Sequence, residues 1–327
     1  MTAFTVLPVP GIGEVTAATD LATAVLESAA LQDRDVVVVT SKVVSKAEGR
    51  VVTGTKTEAL AAETDRIVAR RGETSIVRTR HGLVMAGAGI DASNTTPGTL
   101  VLLPEDPDRS ARALRHRIRE LSGLVVGVVV SDTSGRAWRN GQTDIAIGAA
   151  GLRVLDDHAG RADGYGNVLA VTAPALADEI AGAGDLAKGK LSMTPVAVVR
   201  GLGHLVLPPG EDGPGAATLV RDEGSDMFGL GTREAVLQAL LGGPGRGFGV
   251  PAAASELVPA LTAVAAPGPA QVDATDGTPE VVVGPLPADP LERGRLQGRL
   301  EAAAYAHGWG PAPHQDSQRL KFRPLLP

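Results

Sequence analysis

Four short runs of apolar, mostly β-branched residues constrain the fold of this chain more than any other feature of its sequence. Each run is bounded by polar residues or glycine, which is the pattern of a buried strand. The runs are Val36–Val39, Leu100–Leu103, Val125–Val130 and Val196–Val199. Aromatic residues make up only 2% of the chain while 43% of its residues are hydrophobic, so the core must be built from Val, Leu, Ile and Ala.

Helical segments are predicted between these strands. They are Asp20–Ala30, Glu58–Arg70, Ser110–Leu121 and Ala175–Leu186. The last two carry apolar residues at three- and four-residue spacing, as expected of helices that pack one face on a core. The alternation of the two element types predicts an α+β fold with a mixed α/β core, in which Ala-rich helices cover a Val-rich sheet.

The composition changes near residue 235. Beyond it glycine, proline and alanine dominate, and only Pro290–Ala306 is predicted as a helix, with Glu280–Val283 as a further edge strand. We therefore predict a first domain over residues 1–238. Residues 239–327 are interpreted as a linker with a short, Pro/Gly/Ala-rich and partly disordered C-terminal extension.

Charge and cysteine content exclude several classes of function. The net charge of −6 argues against a chain that holds nucleic acid through its overall charge. The absence of cysteine excludes disulfides, thiolate nucleophiles and Cys-based zinc sites. No stretch approaches the roughly 18 apolar residues that span a bilayer, and no signal-peptide pattern opens the chain. We expect a cytoplasmic protein with neither nucleic-acid nor membrane partners.

The stretch that is most informative about chemistry directly follows the third apolar run. It reads Ser131-Asp132-Thr133-Ser134-Gly135-Arg136-Ala137-Trp138-Arg139-Asn140-Gly141-Gln142-Thr143-Asp144. A strand that ends in Asp132 and Thr133 would place oxygen ligands for Mg²⁺ or Mn²⁺ at the edge where open α/β sheets bind ligands. Arg136 and Arg139 would add two guanidinium groups for phosphate or carboxylate. The alternative is a polar turn with solvated arginines.

Two other segments offer similar residue types with weaker signals. In Gly87-Ala88-Gly89-Ile90-Asp91-Ala92-Ser93-Asn94, small residues permit close approach to a ligand, and the acid and amide could bind a metal and a nucleotide. In Thr40–Arg50, two lysines four residues apart would share one face of a helix and could neutralise phosphates. An ordinary turn and a solvated basic face are the respective alternatives.

Taken together and in this order, these stretches resemble the coenzyme F420:L-glutamate ligase family, whose members are also called F420-0 gamma-glutamyl ligases. The resemblance covers residues 4–235, and this segment is similar to the N-terminal ligase domain of the actinobacterial two-domain form. It is carried by Ser45-Lys46-Ala47-Glu48-Gly49-Arg50, Ala88–Asn94, Ser131–Asp144, Ala146-Ile147-Gly148 and Pro195–Gly201.

The resemblance implies a GTP-dependent ligase. Such an enzyme would activate the carboxylate of the F420 precursor F420-0 as an acyl phosphate and add L-glutamate to form a gamma-glutamyl amide. The resemblance also implies an intertwined homodimer and two divalent cations, Mg²⁺ or Mn²⁺, with K⁺ as a further candidate cofactor.

Site residues can be transferred by motif. Asp91 and Asp132 would ligate the first cation, and Thr133 would serve the second. Arg136, Arg139 and Lys46 would gather anionic groups during catalysis. The nucleotide would be bound by Ile12, Gly13, Glu14, Val15, Ser41, Lys42, Lys46, Asn94, Lys188, Gly189 and Lys190.

The chain departs from the family at two places. Lys188-Gly189-Lys190 stands where the family often carries an acid, and since a lysine cannot ligate a cation, Lys190 would meet a phosphate or water would complete the second site. The segment after residue 235 is too short for the flavin-binding domain of the two-domain relatives, so no reductase activity is expected. Two alternatives stay open: a non-catalytic F420- or nucleotide-binding homologue, and a related ligase for another phosphorylated acceptor.

Overall fold

A computed structural model describes residues 3–93, 95–242, 246–266, 268–274, 279–313, 316 and 318–325. The chain divides into two compact units. Unit 1 consists of the described residues up to Arg66 together with Ile76–Val220, and unit 2 of Ile67–Ser75 together with the described residues from Arg221 onward.

The helices and strands are numbered along the chain. The helices are α1 Leu21–Ser28, α2 Ser41–Ala47, α3 Lys56–Glu63, α4 Pro107–Ser122, α5 Leu176–Lys188, α6 Thr232–Leu241, α7 Ala254–Ala265 and α8 Pro290–Ala306. The strands are β1 Thr5–Val9, β2 Val36–Thr40, β3 Val51–Thr53, β4 Thr64–Arg71, β5 Thr74–Thr79, β6 Val84–Ala86, β7 Thr99–Val101, β8 Gly127–Arg136, β9 Arg139–Ala150, β10 Val196–Arg200, β11 Gln271–Ala274, β12 Val281–Gly284, β13 Trp309–Pro311 and β14 Leu320–Pro324.

The central sheet of unit 1 has the strand order β1-β10-β2-β8-β9. Strands β2 and β8 run parallel, whereas the neighbouring pairs on either side are antiparallel. The mixed α/β character and the α+β class predicted from the sequence are thereby confirmed. Among the described residues, no helix combines the length and the apolar composition needed to cross a membrane.

Both faces of this sheet are covered, which explains why its strands are apolar without alternation. Successive side chains of a strand point to opposite faces. Val37 and Val39 therefore pack with Ile118 of α4, while Val36 and Val38 pack with Ile180 of α5. The core lies in these two layers.

Two predictions about local structure were wrong. The predicted helix Glu58–Arg70 ends at Glu63, where Thr64 takes extended dihedral angles, and Thr64–Arg71 forms β4 instead. The β-branched residues Thr64, Ile67 and Val68 favour a strand by their type, although their spacing resembled that of a helix. The third apolar run begins its strand at Gly127, but the strand does not end at Asp132 and Thr133 as predicted. It continues to Arg136 and returns as β9, so the polar stretch is a long hairpin.

Smaller sheets flank the central one. Strand β7, within which part of the second predicted run lies, pairs antiparallel with β3, and β4, β5 and β6 form a further sheet in that order. The predicted strand Leu100–Leu103 is therefore short and lies outside the central sheet.

Unit 2 has a core of its own. Helices α7 and α8 pack on a sheet of order β11-β12-β14-β13. Its buried side chains include Leu257, Leu261, Leu300, Trp309 and Phe322. The structure therefore differs from the expected linker and extension after residue 238, and β12 is an inner strand instead of an edge. The short strands and the Gly- and Pro-rich turns between them hid this core from a search for hydrophobic periodicity.

Candidate active site

The site lies in unit 1, where the parallel strands β2 and β8 separate. Their pairing runs from Val36 opposite Gly127 to Thr40 opposite Ser131. At that point β2 gives way to α2, whereas β8 continues past the end of β2 with Asp132 and stays paired with β9. The first residue of α2 thus meets the extended strand, and the Ser41 hydroxyl donates a 2.6 Å hydrogen bond to Oδ1 of Asp132.

Asp132 is a carboxylate without a basic partner among the described residues. Burial first, and then the negative charges of Asp144 and Asp91, together raise its pKa from 3.8 to about 7, although the hydrogen bond from Ser41 acts to lower it. The same electrostatics make this carboxylate the place in the site where a cation would be most stabilised.

Asp91 lies beside it on a tight turn. Gly89 of this turn has a φ of +68°, and a Cβ there would come within 2.9 Å of Leu103, so only glycine fits. The Asp91 carboxylate forms a 2.6 Å ion pair with Lys42 and accepts a hydrogen bond from the Ser93 backbone. Burial favours the neutral acid, but these two contacts prevail and lower the pKa of Asp91. Asn94, the predicted nucleotide contact, lies outside the described residues.

Asp144 is the centre of a second, buried cluster. It lies opposite Thr133 in the β8–β9 hairpin and accepts hydrogen bonds from the Ser131 and Thr133 hydroxyls, at 2.9 and 2.8 Å. Burial alone would raise the pKa of Asp144, but the charge of Lys188 and these hydrogen bonds lower it. The sequence analysis did not select Asp144 as a site residue.

The two lysines of the departing segment both reach Asp144. Lys188, in the last turn of α5, is only 4% exposed and donates to Thr40, Ser131 and Asp144. Because an ammonium group has three N–H donors, these three contacts use all the donors of Lys188 within the protein. The prediction that it contacts the nucleotide directly finds no support in this arrangement.

Lys190 approaches from the loop after α5. Its ammonium donates to Thr133 Oγ1 at 2.8 Å and forms ion pairs with Asp144 and Asp185, at 3.3 and 2.8 Å. Burial opposes the charged form, but the hydrogen bonds to the two carboxylates outweigh it and raise the pKa of Lys190. Gly189 between the lysines has a φ of +63°, which allows the chain to turn there.

The remaining predicted nucleotide contacts gather around Lys46, one helical turn after Lys42 in α2. Lys46 forms a 2.6 Å ion pair with Glu14, which brings the segment from Ile12 to Val15 next to the helix. Val15 is buried and anchors this segment, whereas Gly13 and Glu14 are exposed. The segment therefore presents backbone and carboxylate groups beside Lys46.

The structure does not bring Arg136 and Arg139 to the acidic residues. They face each other at the far end of the hairpin, where Arg136 donates to the carbonyl of Asn140. Arg136 lies four residue steps beyond Asp132 along β8, which corresponds to about 13 Å. Both arginines are exposed, so they are placed to contact a distant part of a ligand.

The donor set suits one hard cation. Within the described ranges, no three His, Cys, Asp or Glu side chains form a group that could hold a metal by themselves. Asp91 and Asp132 interact electrostatically, and their oxygens are the type that Mg²⁺ and Mn²⁺ prefer. Substrate phosphate oxygens and water would have to complete such a site, as is usual for these ions.

Comparison with known proteins places these residues in a family context. A family model described as F420-0:Gamma-glutamyl ligase matches residues 11–62 and 54–201, a range that includes every site residue named above. The coenzyme F420:L-glutamate ligase of Methanopyrus kandleri is 41% identical over 243 residues, covering 68% of this chain and 96% of the relative. The enzyme of that name from Archaeoglobus fulgidus is 39% identical over 220 residues, covering 60% of this chain and 87% of the relative. The one from Haloarcula marismortui is 36% identical over 255 residues, covering 70% of this chain and 97% of the relative.

Proposed function

The chain belongs to the F420-0:gamma-glutamyl ligase family and is a ligase of coenzyme F420 biosynthesis, and we propose that it uses GTP to join L-glutamate to F420-0. The resemblance noted in the sequence is thereby confirmed, while the nucleotide, the metal and the intermediate belong to the proposal.

The proposed reaction has two steps. An oxygen of the F420-0 carboxylate attacks the γ-phosphorus of GTP, the bond from that phosphorus to the bridging oxygen breaks, and GDP leaves with the electron pair. The amine of L-glutamate then attacks the acyl carbon, and phosphate leaves as the amide forms and the amine loses a proton. Both steps need charge neutralisation and positioning more than a protein nucleophile.

Asp91 and Asp132 are proposed to hold one divalent cation. When bound, Mg²⁺ or Mn²⁺ would neutralise charge on the transferred phosphoryl group. Ser41 and Lys42 orient these two carboxylates through the 2.6 Å contacts described above. Lys46 and the segment from Ile12 to Val15 are proposed to bind the nucleotide, and Arg136 with Arg139 to attract anionic groups of the acceptor from the end of the hairpin.

One observation carries this proposal beyond family membership. Asp91 and Asp132, which come from separate parts of the sequence, interact at the point where β2 and β8 separate, and each has a hydroxyl or lysine of α2 as its partner. Two carboxylates in one electrostatic field with lysines nearby are what the binding of a metal nucleotide requires.

The test is mass spectrometry of F420-0 after incubation with the purified protein, L-glutamate, GTP and Mn²⁺, with each component omitted in turn. We expect a mass gain of glutamyl units only in the complete mixture. Asp132→Asn should abolish the gain, and full metal-dependent turnover by this variant would contradict the assignment of the metal site. ATP in place of GTP tests the choice of nucleotide.

Two further measurements distinguish the proposed function from the two alternative functions. A binding protein would give no product and no glutamate-dependent GTP hydrolysis, and a ligase for another acceptor would give product only in a panel of phosphorylated acids. We also propose a homodimer, as the family resemblance implies, and light scattering in solution should give twice the mass of the chain.

A further inference from the structure

The ammonium group of Lys190 has oxygen neighbours of the types that also bind a metal ion. Its three nearest oxygen atoms come from a threonine hydroxyl, Oγ1 of Thr133, and from the carboxylates of Asp144 and Asp185, at 2.8, 3.3 and 2.8 Å. Hydroxyl and carboxylate oxygens are also the ligands of Mg²⁺ and Mn²⁺. Because all three N–H donors of the lysine are engaged, Lys190 is not available to bind a phosphate directly.

The charges of this cluster are already balanced. Lys188 contacts one oxygen of Asp144 and Lys190 contacts the other, while Lys190 also neutralises Asp185. Two ammonium groups thus face two carboxylates. No net negative charge is left there to compensate for the desolvation of a divalent ion, so a second cation does not fit beside Thr133.

The other half of the site lacks this balance. Asp132 has no ion pair among the described residues, and its only side-chain hydrogen bond there comes from the neutral Ser41. Lys42 neutralises Asp91 alone. One carboxylate is therefore left uncompensated at this point, which suits a single divalent cation.

We propose that the Lys190 ammonium takes the place of a second divalent cation beside Thr133, and that this chain works with one divalent cation per active site. The proposal rests on the proposed function, since it assumes the first cation at Asp91 and Asp132. Lys190 acts as a positioning residue: it fixes the Thr133 hydroxyl and supplies a permanent positive charge, while Lys188 holds Asp144 in place. A fixed charge needs no metal to be recruited from solution.

Counting bound Mn²⁺ by electron paramagnetic resonance tests this proposal directly. The signal of free aquo Mn²⁺ is titrated against the whole protein with one equivalent of a non-hydrolysable GTP analogue. We expect one Mn²⁺ per chain. Two per chain would overturn the proposal. A count of zero would contradict the first metal site and hence the proposed function, so the two failures are distinguishable.

Substitutions at Lys190 identify the lysine as the cause. Lys190→Met leaves Thr133, Asp144 and Asp185 around an uncharged side chain, so the count should rise to two. Lys190→Arg keeps the charge and should leave the count at one. The matched control is Lys321→Met, since Lys321 also pairs with an acid, Glu280, but lies in unit 2. The control should give one Mn²⁺.

Turnover gives a second readout. Lys190→Met should lower kcat at limiting Mn²⁺ at least tenfold and regain most of it as Mn²⁺ is raised, whereas the parent protein should saturate at one equivalent. The side chain of Lys190 is 58% exposed, so the substitution should leave the fold intact, which circular dichroism would verify. A folded Lys190→Met protein that still binds one Mn²⁺ would refute the role assigned to the lysine.

Discussion

Asp132 is the residue at which burial, charge and the proposed metal binding compete. Asp132 is half-buried, its carboxylate accepts a hydrogen bond from Ser41 of α2, and it lies in the field of two other acids. Ionising the Asp132 carboxyl costs free energy, and we expect a bound cation to compensate for that cost. The metal-free protein should therefore show this cost as a dependence of its stability on pH.

The sign of that dependence follows from the pKa of Asp132, which is raised from 3.8 to about 7 in the folded chain. Below pH 3.8 both states are protonated and no cost arises. As pH rises, the unfolded chain ionises first, so the free energy of unfolding falls until about pH 7 and the loss then stays constant. At 1.36 kcal/mol per pKa unit the full loss is at most about 4 kcal/mol.

Asp132→Asn removes the charge but keeps an oxygen that accepts the Ser41 hydrogen bond. In EDTA, urea unfolding should show the variant more stable than the parent by about 2 kcal/mol at pH 5 and about 4 kcal/mol at pH 8. Ser41→Ala, which removes a contact that lowers this pKa, should move the inflection to higher pH. An equal difference between parent and Asp132→Asn at every pH from 5 to 8 would contradict the argument.

At the residue scale the sequence selected Asp91 and Asp132 as metal ligands and Ser41 and Lys42 as nucleotide contacts, and these roles stay predictions. The structure brings the four residues together in pairs, Ser41 with Asp132 and Lys42 with Asp91. The sequence could not predict Asp144, because the pairing of Asp144 with Thr133 depends on a register shift between Gly135 and Arg136 that no residue pattern announces.

At the scale of elements, α5 and the central sheet are held at close range by a small residue. Gly184 faces the sheet, and a Cβ there would come within 2.8 Å of Val38. Gly182 lies on the same helix, but a Cβ there would meet nothing nearer than Thr143 Oγ1 at 3.4 Å. The close approach matters because the last turn of α5 carries Lys188 to Asp144.

Gly184→Ala and Gly182→Ala separate packing from helix propensity. Alanine favours a helix over glycine by about 1 kcal/mol at either position. Overpacking against Val38 should nevertheless make Gly184→Ala less stable than the parent by about 1–3 kcal/mol, whereas Gly182→Ala should be as stable or more stable. Urea unfolding of both variants measures this, and equal stabilities would show that α5 can shift away from the sheet without cost.

The elements that the sequence located best are a helix with clear start signals and a continuous apolar run. Pro290–Ala306, which is preceded by Asp289 as its N-cap, is a helix over the whole predicted range, and Val36–Val39 falls within β2. The β8–β9 hairpin was misjudged because its outer half, beyond the end of β2, carries exposed polar side chains and has no hydrophobic pattern of a strand.

For the whole molecule, the division into two units separates chemistry from an additional core. Every residue of the proposed site belongs to unit 1, and the family model also ends within it, at residue 201. Unit 2 buries its own Leu, Val, Trp and Phe side chains. Its stability should therefore be open to change without any effect on glutamyl transfer.

Leu261→Ala tests this separation. Leu261 is fully buried in the core of unit 2, so its truncation should cost about 2–5 kcal/mol. Leu291→Ala is the matched control, because Leu291 of α8 is 62% exposed and its loss should change stability by less than about 0.5 kcal/mol.

Tryptophan fluorescence reports on unit 2 specifically. Trp309 of unit 2 is 2% exposed, whereas Trp138 in unit 1 is 83% exposed and already contacts water.

A shift of the emission maximum in urea therefore reports the unfolding of unit 2, and it should occur at lower urea concentration in Leu261→Ala than in the parent or in Leu291→Ala. In the absence of urea, kcat/KM for glutamyl transfer should stay within twofold of the parent in both variants, since Asp91, Asp132 and Lys190 keep their partners in unit 1. A large loss of kcat/KM in Leu261→Ala, with the Trp309 emission still that of a folded unit, would mean that unit 2 takes part in the reaction.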